Sequence, residues 1–115
     1  MPRHIQPELL QGTLDLLVLS TLRDGPGHGY GIARAIEQRA GGDLSIEEGS
    51  LYPALYRLAR RGCLAAEWRA GPSGRRARFY RLTSAGHAEL DRQSALWAKL
   101  ADAVDRVLAG DESKP

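Results

Sequence analysis

The chain has 115 residues, 43% hydrophobic and 26% charged, the size and balance of one ordinary globular domain. It holds no apolar run of about 18 residues, so no membrane span is expected. Residues 1–15 lack the basic-then-apolar layout of a signal peptide, and the single cysteine, Cys63, excludes an internal disulfide framework and fits the reducing cytoplasm. The formal net charge of +2 is unevenly spread: residues 57–81 carry eight arginines against one acid, Glu67, between flanks that are net acidic. Such a block reads either as a face that meets a polyanion or as a solvated basic hairpin.

In chain order, Pro7 suits a first helical position, and Leu10, Leu14, Leu17, Val18 and Thr21 follow on one helical face until Asp24-Gly25-Pro26-Gly27 ends it. A second helix opens near His28 or Gly29, buries Ile32, Ala33 and Ile36, and stops at Gly41-Gly42. Leu44-Ser45-Ile46 is short enough for a brief edge strand. The third helix is expected to start between residues 47 and 50, capped either by Ser45 with Glu48 as a capping box or by Ser50 with Pro53 in the first turn. Leu51, Leu55 and Leu58 form its buried stripe, Arg57, Arg60 and Arg61 face outward, and Gly62 closes it.

Residues 64–70 alternate as a strand, Gly71-Pro72-Ser73-Gly74 turns, and residues 76–82 return with Phe79 and Tyr80 on opposite faces. Trp68 is expected to anchor this hairpin to the core. Thr83 caps a last helix running to about Leu108, on which Leu90, Trp97, Leu100, Val104 and Val107 approximate a coiled-coil seam interrupted by Gln93. Residues 110–115 read as a frayed tail. The order of elements predicts an α+β, mostly α fold: a winged helix-turn-helix over residues 1–83 and a long C-terminal helix over 84–109.

In such a module the third helix reads base edges in the major groove, and the hairpin wing lies against the backbone or in the minor groove. Arg75, Arg76 and Arg78 sit where wing arginines would neutralise phosphates. Ser50 and Tyr52 are placed to offer hydroxyls to phosphate or base edges, or else to cap the helix and pack at the core edge. Arg57 is the electrostatic candidate on the same helix, whereas Arg60 and Arg61 suit a solvated helix end. His28 and Tyr30 open the second helix, where free N–H groups meet phosphate; the alternatives are a helix cap and a buried ring. The glycines at 25, 27, 29 and 31 follow a helix rather than a strand and lack phosphate-loop spacing.

Enzyme chemistry is not indicated. His4, His28 and His87 are scattered, Cys63 has no activating neighbour and reads as a buried filler, and His87 with Asp91 would offer a metal only two ligands. No cofactor is expected. The remaining alternatives are a winged helix that meets a protein, which the arginine block disfavours, and a ligand-sensing dimer with weak DNA binding.

Several stretches resemble one family. They are Leu10-Gln11-Gly12-Thr13-Leu14 with Leu16-Leu17, His28-Gly29-Tyr30-Gly31-Ile32, Glu48-Gly49-Ser50-Leu51-Tyr52-Pro53-Ala54-Leu55, Glu67-Trp68, Gly74-Arg75-Arg76 and Tyr80-Arg81-Leu82-Thr83. Together they resemble the short type of PadR-family transcriptional regulators over residues 8–108, closest to an acidobacterial-type subgroup. The resemblance implies a homodimer on double-stranded DNA, usually a repressor, in some members released by a small molecule. It places Leu90, Leu96, Trp97, Leu100, Val104 and Val107 at the dimer interface. It also gives Trp97 two readings, ordinary dimer packing or stacking on a small aromatic effector.

Overall fold

The computed structural model describes residues 13–110. Helix α1 (Leu14–Leu22) buries Leu14, Val18, Leu19 and Leu22, the spacing of one helical face. The expected start at Pro7 and Leu10 lies outside the described residues. Gly25, at φ 146°, supplies a backbone turn that a side chain would strain. The chain then enters β1 (Gly27–His28) and passes directly into α2 (Gly29–Arg39), which buries Ile32, Ala33 and Ile36.

Residues 40–47 connect α2 to α3. Leu44 forms a single isolated bridge, not the edge strand expected over 44–46. The segment is held instead by Glu37, whose carboxylate accepts the Ile46 N–H at 2.8 Å, while the Ile46 side chain is buried in the core. Helix α3 (Glu48–Arg60) starts inside the expected window, but neither expected cap forms. Glu47 is the N-cap residue and makes no side-chain cap bond. Its carbonyl accepts the N–H groups of Ser50 and Leu51 at 3.0 and 2.9 Å. Ser50 therefore lies within the first turn and Pro53 in the second, where its ring removes the bond to the Gly49 carbonyl. Leu51, Ala54, Leu55 and Leu58 form the buried stripe.

Strands β2 (Leu64–Ala70) and β3 (Arg76–Leu82) pair antiparallel from Leu64↔Leu82 to Ala70↔Arg76. β1 adds a third strand, Gly27↔Tyr80 and His28↔Phe79, giving the order β1-β3-β2. Two residues carry no readable alternation, so this strand left no signal in the sequence. Burial falls off along β2: Leu64 is buried, whereas residues 67–70 are exposed. Trp68 belongs to the exposed stretch, at 55%. It does not anchor the wing to the core, because the hairpin has run past the core edge by that point.

Helix α4 (Ser84–Ala109) is capped by Thr83, whose hydroxyl oxygen accepts the Gly86 N–H at 3.0 Å and donates to the Gly62 carbonyl at 2.6 Å. Gly86 lets the helix pass against the start of β2: a Cβ there would sit 2.1 Å from the Cys63 carbonyl oxygen. Leu90 is 3% exposed and belongs to the same core as Leu19, Ile32, Leu51, Leu55 and Leu58. This corrects its expected place at a subunit interface, since α4 is still lying on its own domain at that turn. Beyond it the helix projects, with Leu96, Trp97, Leu100, Val104, Val107 and Leu108 all exposed.

Candidate nucleic-acid interface

α2 and α3 carry the candidate residues His28, Tyr30, Ser50, Tyr52 and Arg57 at or near their first turns and along α3. Tyr52, in the first turns of α3, lays its ring against the first turn of α2: a Cβ on Gly29 would lie 2.6–2.7 Å from the tyrosine hydroxyl and ring. Gly29 therefore fixes how closely the two helices cross. Tyr52 remains 45% exposed, so its ring both packs and faces solvent. Ser50 is half-buried.

His28 is the N-cap of α2. Its Nδ1 accepts the Gly31 N–H at 3.2 Å, which leaves the ring proton on Nε2. The ring edge meets Phe79 at 5.3 Å between centroids, so β3 orients it. Tyr30 is exposed rather than buried, and its hydroxyl accepts a 2.7 Å hydrogen bond from Arg34.

The arginines divide into two sets. Arg57 points outward, but its guanidinium pairs with Asp15 of α1 at 2.9 Å, a contact that ties α3 to α1. Arg34, Arg39, Arg61, Arg69, Arg92 and Arg106 also have carboxylate partners. Arg75, Arg76 and Arg78, all exposed on the wing, take part in no ion pair among the described residues, and neither do Arg23, Arg60 and Arg81. Side chains with no internal counter-charge are those that a phosphate backbone neutralises at least cost.

Periodicity held a further signal. Tyr52, Tyr56 and Arg60 are four apart on α3, and Tyr56 is 63% exposed, with the Arg60 guanidinium 5.7 Å from its ring centroid. This i, i+4, i+8 stripe is legible from the sequence once the buried stripe is known. Helical spacing marks two members of a junction between α3 and α4, but not the third, Arg61, 28 residues away. There Glu89 of α4 accepts hydrogen bonds from Arg92 at 2.6 Å, Gln93 at 2.6 Å and Arg61, the C-cap of α3, at 3.2 Å. These donors, Arg92 foremost, hold the Glu89 carboxyl down at about 2 against the opposing effect of burial.

Among the described residues no group of three or more His, Cys, Asp or Glu side chains converges to hold a metal ion. No helix of the described residues is long and apolar enough to cross a membrane.

An outward-facing third helix, a second helix docked across its start and a basic hairpin beside it define a winged helix-turn-helix, a DNA-binding class. The chain belongs to the PadR-like family of transcriptional regulators, whose family profile matches residues 18–92. It is 31% identical over 97 residues to a transcriptional regulator of Mycobacterium tuberculosis, covering 84% of this chain and 87% of that protein. Among solved structures it is similar to a PadR family transcriptional regulator from Eggerthella lenta, at 38% identity and a TM-score of 0.76, covering 90% and 88% of the two chains. A transcriptional regulator from Clostridium thermocellum superposes at a TM-score of 0.78 with 25% identity over 86% of this chain and 96% of that one. These relatives are transcriptional regulators, not enzymes.

Proposed function

We propose that this DNA-binding regulator acts in the cytoplasm as a homodimeric repressor. Residues 1–83 read one operator half-site and residues 84–109 join the two subunits. The observation that carries the DNA surface is the wing set Arg75, Arg76 and Arg78, exposed and without internal counter-charge, beside an α3 whose outward face carries Tyr52 and Ser50. His28 and Tyr30 extend this surface at the start of α2, with His28 Nε2–H left over from capping as a donor. Arg57 contributes through its clamp on Asp15.

The case for the dimer is the free half of α4. Leu96, Trp97, Leu100, Val104 and Val107 leave a seam on a helix about 39 Å long that the other described residues leave exposed. Trp97 lies in that seam, and a small aromatic effector stacked on it would bias the separation of the two recognition helices. Trp97→Ala is expected to abolish any effector response; an intact response would remove the effector from this place.

The test of the whole reading is titration onto the upstream region of the protein's own gene and onto a scrambled duplex, each at two salt concentrations. Binding that prefers the upstream region and weakens with salt supports a specific regulator. Tight binding of a ligand with no salt-dependent DNA affinity would support a sensing dimer instead.

A further inference from the structure

The two faces of the hairpin differ in chemistry. Side chains directly paired across an antiparallel ladder share a face. The register therefore puts Ala66, Trp68 and Ala70 with Tyr80, Arg78 and Arg76, and puts Glu67 and Arg69 with Phe79 and Ala77. The hairpin's acid, Glu67, lies on the second face, 3.9 Å from Arg69. Arg69 is further occupied by the Phe79 ring, 4.3 Å from its guanidinium. The Trp68 face carries two arginines and no acid.

Trp68 is more than half exposed although it is the largest side chain of the hairpin. Among the described residues its ring interaction is with the guanidinium of its cross-strand partner Arg78, 5.7 Å from the ring centroid. A large indole left in water at a sheet end gains by being covered. The charges flanking it select an anionic cover, since neither Arg76 nor Arg78 has an ion-pair partner among the described residues.

We propose that Trp68 is the apolar anchor of the wing on DNA, its indole lying against the deoxyribose wall of the groove between phosphates held by Arg76 and Arg78. This rests on the DNA-binding reading above and adds to it a residue that basic charge alone does not point to. Arg78 stacked on the ring restrains the indole before contact, so less side-chain freedom is lost on binding. The contact is to sugar and phosphate, so it strengthens binding to every sequence alike.

The experiment compares wild type, Trp68→Ala and Trp68→Phe on a random-sequence duplex at low salt. It is joined to fluorine NMR of fluorotryptophan-labelled protein, with the Trp68 resonance assigned by its loss in Trp68→Phe. Trp68→Ala is expected to bind about tenfold more weakly with an unchanged melting temperature, and Trp68→Phe to recover most of the affinity. The Trp68 resonance is expected to lose its solvent isotope shift when the duplex is added. Equal affinity of wild type and Trp68→Ala overturns the proposal. So does a Trp68 resonance shielded from solvent in the free protein and unmoved by DNA, which would mark a contact with protein instead. Failure of the wild type to bind any duplex overturns the DNA reading itself, a result distinct from either.

Discussion

Two single residues carry contacts that admit no substitute. At Gly86 the backbone of α4 passes so close to the Cys63 carbonyl that any Cβ would overlap it. The obstacle is backbone, not a flexible side chain, so Gly86→Ala must push the helix off the sheet. A loss of about 2 kcal/mol or more is expected in urea unfolding, and a fully stable variant would mean α4 has room to shift. Glu89 is the second. Its folded-state pKa of about 2 lies below the ordinary 4.5, so its stabilisation is present in full above the ordinary value and is lost as the pH falls toward 2. Glu89→Gln is expected to cost about 1–3 kcal/mol near neutrality and to flatten the stability profile across that acid range. An unchanged profile would show that the carboxylate is not held ionised by Arg92, Gln93 and Arg61.

At the scale of elements, α3 and the wing are built for different work. α3 is restrained at both ends and on its inner side: Arg57 by Asp15, Arg61 by Glu89, Tyr52 by the close approach at Gly29, and its entry by Glu37. The base reading proposed for α3 would need this, because hydrogen bonds to base edges demand fixed geometry. The wing is an exposed hairpin on which Arg75, Arg76 and Arg78 have no ion-pair partner among the described residues, which would suit the proposed phosphate contacts, since these tolerate variation. Arg75→Ala with Arg76→Ala is therefore expected to weaken binding to all DNA. It should lower the slope of log affinity against log salt by about two, measured by anisotropy titration over a salt series. An unchanged slope would place the wing away from the backbone. Tyr52→Ala is expected to act more on the specific site than on random DNA.

The whole molecule is elongated, 62 × 38 × 21 Å with a radius of gyration of 16.3 Å, against about 13 Å for a compact chain of this length. The half of α4 beyond Leu90 carries the exposed apolar residues. An isolated helix with so much exposed apolar surface is unfavourable in water, and burying that stripe against a second copy removes it. Leu100→Asp places a charge at the centre of the stripe without touching the core. Sedimentation is expected to show the variant as a monomer at concentrations where the wild type is a dimer. It should also lose affinity for a two-half-site operator far more than for a single half-site. A dimeric Leu100→Asp protein would move the interface elsewhere. The Arg61–Glu89 bridge joins the end of α3 to this same helix, so in the proposed dimer a change in how two α4 helices pack would have a short mechanical route to the proposed DNA surface.

Much of this architecture was legible in the sequence, because it rests on local rules. Leu51, Leu55 and Leu58 had to share a helical face, Thr83 had to favour a cap, and alternation between Leu64 and Ala70 had to make a strand. The stretches from His28 to Ile32 and from Glu48 to Leu55 carried the family. What only the tertiary structure decided were matters of distance between segments far apart in the chain. These are the pairing of β1 with β3, the occupation of Arg57 by Asp15, the reach of Arg61 to Glu89, and the point along α4 where burial ends. Local periodicity specifies which face of an element is apolar. It does not specify where the neighbouring element stops, so Leu90 and Trp97, one heptad apart in a single seam, fall on opposite sides of that limit: one inside the core, the other exposed to solvent.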